Sequence, residues 1–338
     1  MADLTFGQRL GRQEASPSVC CWCGKHLKRI PTVDGLGWEP WLCWNDVPGP
    51  DGRSCWTRQL SFVITANDLD RRGKATGAFQ WLFAPTPRQT EFAEQTRKTK
   101  FTGFGGAKAV AKSHGGRWLL YRDCLRIPNL RCLLLRRTFK ELDTTHLLEM
   151  PLDAEKLKPM GANYATSARE MSFRANGSLI RAGHCETDGD VAHFLSTQWD
   201  RIVFDELVTF TRQQFLMIVS CARSTKQAVI DEGGAQVWAM TNPGGRGAGW
   251  VKELFIDQNP DPEQMPDYDA SQWGFVQGWL EDNPYIESGY RQTLMNLPPI
   301  LRRQWLDGDW NAYEGQFFDF QATKDRAPWH VYDAGIAD

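Results

Sequence analysis

The sequence has no apolar stretch approaching the roughly 18 residues that a membrane-spanning helix needs, so nothing in it is expected to span a membrane. Its first residues, Met1 to Leu10, lack the apolar centre of a secretion signal. Neither sign of charge dominates: 39 Lys and Arg stand against 41 Asp and Glu, for a net charge of −2. That balance excludes a uniformly basic nucleic-acid coat, while leaving room for a basic patch on a neutral body. Internal repeats and low-complexity tracts are missing as well. With 24% charged and 41% hydrophobic residues, the 338-residue chain is too apolar to be disordered. At roughly 100–200 residues per domain, it suits two domains and a small appendage. A soluble intracellular protein is expected.

What is abundant is unevenly placed. Of nine cysteines, Cys20, Cys21, Cys23, Cys43 and Cys55 lie near the start, and Cys124, Cys132, Cys185 and Cys221 are scattered singly. An odd total without a secretion signal argues against a disulfide framework. Trp22, Trp38, Trp41, Trp44 and Trp56 crowd into the same opening segment, which Pro31, Gly35, Gly37, Pro48, Gly49, Pro50 and Gly52 break into turns. Residues 1–60 therefore read as a separate module, too small to bury much core. Cys20, Cys23, Cys43 and Cys55 supply four thiolates, enough for a tetrahedral structural Zn²⁺, with His26 as an alternative ligand. The other reading is a set of buried free thiols among tryptophans. Lys25, Lys28 and Arg29 beside them suit either a DNA-facing patch or an ordinary solvated face.

From residue 61 to 256 the pattern becomes α/β. Cys132–Leu135 predicts a buried strand ending in Arg136-Arg137, Ile202–Phe204 one ending in Asp205-Glu206, and Val237–Met240 one ending in Thr241-Asn242-Pro243. Short apolar runs without alternation suit strands covered on both faces of a parallel sheet. Polar residues where such strands end mark the ligand crevice of an open α/β sheet. Met171–Phe173 and Ser178–Ile180 flank Asn176-Gly177, a type I′ hairpin signal. Residues 257–312 read as a connector with one helix near Tyr290–Asn296, and 313–338 as the start of something new, with strand starts at Phe317-Phe318 and Val331-Tyr332.

Three motifs carry chemistry. Gly106 to Ser113 reads G-x-x-x-x-A-K-S, a P-loop with alanine at its second glycine. Such a loop converges backbone N–H groups and a helix N-terminus on phosphate oxygens, with Lys112 neutralising phosphate and Ser113 ligating Mg²⁺. Ala111 carries a Cβ where glycine is usual, so a positive φ costs more there. Trp118–Tyr121 continues the helix that follows. A glycine-rich turn before an ordinary helix is the competing reading. In the second motif Asp205 closes a strand where it can hold Mg²⁺ and Glu206 is placed to orient or deprotonate water, against the alternative of a helix cap. In the third, Thr241-Asn242 is positioned to sense a terminal phosphate, or is a plain turn. Gln89, in Pro85–Phe92, has the donor and acceptor that match an adenine edge.

Taken in order, these residues resemble the large terminase subunit of tailed bacteriophages, the motor that packages DNA into procapsids. The likeness runs from about Phe83 to Asp338. It takes in the Gln89 segment, the Gly106–Ser113 loop, Arg136-Arg137-Thr138, Asn176-Gly177-Ser178, Asp205-Glu206 and Thr241–Gly245. It continues through Asp282-Asn283-Pro284-Tyr285, Leu306–Trp310 and Gly315–Phe318. The resemblance implies an additional-strand P-loop NTPase with a mainly parallel sheet, hydrolysing ATP with Mg²⁺ to translocate double-stranded DNA. It makes Gly105, Gly106, Ala107, Lys108, Ala109, Val110, Ala111, Lys112, Ser113 and Gln89 the nucleotide-binding set. Lys108 takes the place of an early basic residue, and Lys108, Lys112, Asp205 and Glu206 are catalytic, Asp205 as Walker B carboxylate and Glu206 as base. Thr241 and Asn242 become the coupling motif, and Arg136, Arg137 and Arg201 candidates to act on a neighbouring subunit's ATP.

Expected partners are the portal protein, the small terminase subunit and further copies in a ring, in the host cell cytoplasm. In the family an RNase H-like nuclease follows, and Asp338 falls where its first metal ligand is expected. One aspartate cannot build a two-metal site, so packaging without cutting is the expectation. Arg117, Arg122, Arg126, Arg131, Arg136 and Arg137 supply a local basic excess for DNA. Two other functions stay open: a non-catalytic zinc-bearing DNA-binding or assembly protein with a degenerate P-loop, and a helicase-like ATPase, which would need a second lobe.

Overall fold

The computed structural model describes residues 19–29, 41–43, 45–62, 64–65 and 81–312. Trp38, Trp44, Asp338 and the strand starts expected at Phe317 and Val331 lie outside the described residues. Two short antiparallel pairs come first: β1 (Lys28–Arg29) with β2 (Trp41–Leu42), and β3 (Ile64–Thr65) with β4 (Trp81–Phe83). The remaining strands form one sheet. They are β5 (Phe101–Gly106), β6 (Arg131–Arg136), β7 (Ala162–Ala165), β8 (Glu170–Phe173), β9 (Ser178–His184), β10 (Arg201–Asp205), β11 (Gln236–Met240) and β12 (Trp273–Gly278).

The spatial order is β12-β5-β11-β10-β6-β9-β8-β7, parallel from β12 to β9 and antiparallel over β9-β8-β7. Thus β11 is an additional strand between β5, which leads into the glycine-rich loop, and β10, which ends in Asp205. The three expected strands are present in the sheet and buried, because each side chain meets a helical layer whichever way it points. Cys132, Leu134, Val203, Trp238 and Met240 join a core with the Pro87–Gln95 and Lys112–Arg126 helices. Their neighbours Leu133, Leu135, Ile202, Phe204, Val237 and Ala239 face the opposite core, built on Phe215, Leu254 and Phe255. All the parallel strands therefore deliver their C-terminal ends to one edge.

Three expectations are corrected. The segment read as a connector contributes β12, hydrogen-bonded to β5 along its length. Trp-Gly-Phe-Val-Gln-Gly hides its strand character behind two glycines, each needed for close packing: a Cβ on Gly274 would meet the Gln95 side chain at 2.4 Å, and one on Gly278 would meet Val110 at 2.6 Å. The β8-β9 hairpin forms, but not through a type I′ turn. Phe173 pairs with Ser178 across a four-residue loop, in which Gly177 has φ +77° and Asn176 is not left-handed. The Asn176 side chain instead donates to the Cys124 carbonyl at 2.6 Å and accepts the Ser178 N–H. Finally, two of the six arginines expected to form a basic excess turn inward, while Arg126 and Arg131 are exposed. The Arg117 side chain, 5% exposed, pairs with Asp153, and that of Arg122, 8% exposed, lies against Phe62 and Asp123. They are core ion pairs, not a DNA-facing surface.

Candidate functional site

The glycine-rich loop runs from the end of β5 to the start of the Lys112–Arg126 helix. Gly106 has φ +115°, and a Cβ there would lie 2.3 Å from the Gly278 carbonyl, so β12 admits no side chain at this point. Beyond it, Ala109 and Ala111 both adopt left-handed backbone, at φ 61° and 59°. Left-handed residues alternating with right-handed ones turn successive N–H groups to one side, as in an anion-binding nest, while the Ala107 and Lys108 N–H groups donate to the Gly278 and Trp305 carbonyls at 2.9 and 2.7 Å. The φ anticipated at Ala111 is present, and alanine bears its cost, about 1–2 kcal/mol for a non-glycine residue in this region.

The side chains expected to meet are brought together at that edge of the sheet. Ser113 Oγ donates to Asp205 Oδ1 at 2.7 Å. Lys112, buried at the helix start, donates from Nζ to the Ala107 carbonyl at 2.7 Å. Asn242 Nδ2 reaches the Gly106 and Ala107 carbonyls at 2.8 and 3.0 Å, joining the end of β11 to the loop. Thr241 beside it is buried, and its hydroxyl has no hydrogen-bond partner. Lys108 places its ammonium 3.0 Å from the centre of the Trp305 ring.

Asp205 has two further partners, of which His146 carries no motif signal and Arg136, noted at its strand end, serves here within the chain. His146 Nε2 lies 2.9 Å and an Arg136 guanidinium nitrogen 2.8 Å from Asp205 Oδ2. His146 opens the His146–Leu157 helix, wholly buried, with Nδ1 unpaired. Burial lowers its pKa against the pull of Asp205, so the neutral ring donates from Nε2. Burial alone would raise Asp205, yet the His146 hydrogen bond and the Arg136 charge outweigh it and hold the carboxyl well below its ordinary range. Glu206 goes the other way: burial, then the neighbouring Asp205 charge, raise it, with Lys112, Arg136 and Lys108 pulling back. Two adjacent carboxyls thereby separate into a firmly ionised one and a more basic one. Glu206 also sits in left-handed backbone at φ 60°, a strained conformation of the kind that clusters at functional positions. Burial brings Lys112 down to about 8, against the attraction of Glu206 and Asp205.

Gln89 is placed differently from a free base-reading amide. Its Oε1 accepts the Thr86 N–H in a capping box, and its Nε2 donates to the Ala111 carbonyl at 2.9 Å. The close fit over the helix start explains Gly115, where a Cβ would lie 2.6 Å from Gln89 Nε2. Among the arginines, Arg137 bonds the Cys185 carbonyl and Gln214. Arg201 lies at the opposite end of β10, 1% exposed and held by Asp123 and the Asp200 and Gly234 carbonyls.

The cysteine segment forms a second candidate site. The sulfurs of Cys20, Cys23, Cys43 and Cys55 all lie within 4.8 Å of one another. A tetrahedron of about 2.3 Å metal–sulfur bonds needs sulfurs about 3.8 Å apart, so the set fits one ion. Cys20 and Cys23 meet through a tight turn in which Gly24, at φ +67°, donates to the Cys20 carbonyl. Burial raises the Cys43 thiol strongly and the Cys55 thiol to about 11, a cost that a bound divalent cation reverses. His26 is exposed and outside this group.

No protein-family model matches the chain, and no curated protein does. Solved structures do. The large terminase of a thermophilic bacteriophage aligns with a TM-score of 0.51 at 12% identity, covering 67% of this chain and 53% of that one. The same protein in complex with ADP aligns with a TM-score of 0.50, at 12% identity and the same coverage. The ATPase domain of the Thermus phage P74-26 large terminase, in a mutant form, is 13% identical over 67% of this chain and 94% of that one, with a TM-score of 0.49. The chain therefore shares the fold seen in phage large terminases and spans about half the length of the thermophilic phage protein. Among the described residues no helix is long and apolar enough to cross a membrane.

Proposed function

We propose that the chain is the ATPase of a DNA-packaging motor, which hydrolyses ATP with Mg²⁺ to move double-stranded viral DNA into procapsids. The observation that carries this reading is the meeting of Ser113 and Asp205 at 2.7 Å, beside Lys112 and Glu206, at the end of a nest-forming loop. In this reading the loop amides and Lys112 hold the phosphates, and Ser113 and Asp205 hold Mg²⁺. Glu206, the more basic carboxyl, takes the proton of the attacking water. Asn242, on two loop carbonyls, and Thr241, with an unused hydroxyl, pass the loss of the terminal phosphate to β11. Lys108 adds charge near the phosphates once it leaves Trp305, and the second Gln89 amide hydrogen reads adenine.

His146 and Arg136 are positioning residues for Asp205 rather than reactants. The ADP held by the thermophilic phage terminase and its shared fold support nucleotide binding here. Duplex DNA, the portal protein, the small terminase subunit and further copies of the chain are the partners of the proposed motor, in the host cell cytoplasm. The four-cysteine group takes a structural Zn²⁺, the ion best suited to four thiolates.

The test is ATP hydrolysis with and without duplex DNA. Stimulation by DNA, lost in Lys112→Ala, supports the motor. DNA binding without hydrolysis would leave the degenerate-loop alternative. That alternative rests on Ala111, which nonetheless adopts the left-handed conformation a P-loop uses at this place.

A further inference from the structure

Ala109 and Ala111 keep left-handed backbone without glycine's freedom, and the carbonyl of each is gripped by a buried amide. Asn283 Nδ2 donates to the Ala109 carbonyl, and Gln89 Nε2 to that of Ala111. Both amides lead back to one short stretch, residues 41–43. On one route Asn283 Oδ1 accepts the Tyr285 N–H at 3.1 Å, and the Tyr285 hydroxyl accepts the Trp41 N–H at 3.1 Å. On the other, Gln89 closes the capping box with Thr86. The carbonyl of the preceding residue, Pro85, accepts from Gln59 Nε2 at 3.1 Å, and Gln59 Oε1 accepts the Cys43 N–H at 2.8 Å.

The three amide side chains are out of water, Gln59, Gln89 and Asn283 being 0%, 2% and 3% exposed, while Trp41 and Tyr285 on the first route are half-buried. Breaking a bond to one of these amides leaves a buried donor or acceptor unpaired, so the Gln59 bonds above all are held more firmly than a surface bond. Gln59 stands on the Cys55–Leu60 helix, which carries Cys55, and Trp41 opens the β2 strand that runs directly into Cys43, so both routes begin within two to four residues of a cysteine of the four-sulfur group. A metal there fixes Cys43 against Cys55, and with them the Trp41 N–H, the Cys43 N–H and the Gln59 side chain.

We infer that a metal ion bound by Cys20, Cys23, Cys43 and Cys55 braces the phosphate loop, holding Ala109 and Ala111 in the conformation that nucleotide requires. The inference rests on reading that loop as the nucleotide site. It explains how an alanine-bearing loop keeps its shape, and it makes nucleotide affinity depend on a remote cation.

The test uses the whole chain, loaded with Zn²⁺ or stripped by a chelator that is then dialysed away before Mg²⁺ is restored. A fluorescent ATP analogue reports affinity, and hydrogen exchange across residues 106–115 reports the loop without nucleotide. Stripping should weaken binding roughly five- to tenfold and speed exchange by a similar factor, the size expected from one or two buried hydrogen bonds, and Zn²⁺ should reverse both. Gln59→Met and Tyr285→Phe keep shape and leave the sulfurs in place. Each should keep full zinc content yet weaken binding roughly two- to tenfold, and Ala111→Gly should restore affinity in the Gln59→Met background.

Equal affinity and equal exchange in the loaded, stripped and Gln59→Met proteins would overturn the brace and leave the nucleotide site standing. If the loaded chain binds no nucleotide, the site reading fails instead. Exchange then still decides: faster exchange on stripping upholds the brace, and unchanged exchange ends it.

Discussion

Lys112 carries its charge where the surroundings resist it. Burial takes its pKa to about 8 from an unfolded value near 10.5, so below pH 8 both states are protonated and the folded chain bears the full cost. Lys112→Met should therefore raise stability at pH 7 by about 1–3 kcal/mol, less the lost bond to the Ala107 carbonyl, while abolishing nucleotide binding. Thermal unfolding and a binding titration read the two effects, and the stability gain should shrink as pH rises from about 8 to 10.5. Nucleotide affinity of the native chain should fall above pH 8, where the free site loses the ammonium.

His146 sets a different window. The unfolded ring protonates near pH 6.5 and the buried one resists protonation, so its contribution is complete above 6.5 and is lost as pH falls toward the folded value. Unfolding temperature should drop across that range, and His146→Gln should flatten the slope there. Asp205, depressed below its ordinary 3.8, acts only at lower pH.

Among the elements, the phosphate loop stores the clearest local strain. Replacing Ala111 with glycine removes a left-handed Cβ and should stabilise the chain by about 1 kcal/mol, measured by chemical denaturation, without loss of nucleotide affinity. This strain was legible before the structure, because the spacing of Gly106, Lys112 and Ser113 dictates where the left-handed residue falls. The strands ending in Arg136, Asp205 and Thr241 were legible too, since apolar runs without alternation have few other uses. β12 was not: its glycines serve packing against Gln95 and Val110, a reason visible only in three dimensions. Nor was His146, because a lone histidine at a helix start carries no spacing signal. The Asn176-Gly177 turn misled because Asn176 commits its side chain to Cys124 rather than adopting a left-handed backbone.

For the molecule as a whole, the loop and the strand-end carboxyls gather at one edge of a sheet whose arginines are partly drawn inside. The run of arginines from Arg117 to Arg137 suggested a local basic patch to which Arg117 and Arg122 do not contribute, because Asp153 and Asp123 hold them in the core. DNA stimulation of hydrolysis should still weaken steeply between about 50 and 200 mM salt, as counterion release requires of any phosphate-contacting protein. Stimulation unaffected by salt would point away from DNA as the track.

The most direct measurement compares ATP binding with single-turnover hydrolysis in the native chain and in Glu206→Gln. Nucleotide held around Lys112, with Asp205 and Glu206 facing its terminal phosphate, requires the variant to bind Mg²⁺-ATP about as tightly as the native chain. Hydrolysis should at the same time slow by roughly 10²–10⁴-fold. Equal hydrolysis by both proteins, or no ATP binding by the native chain, would contradict it.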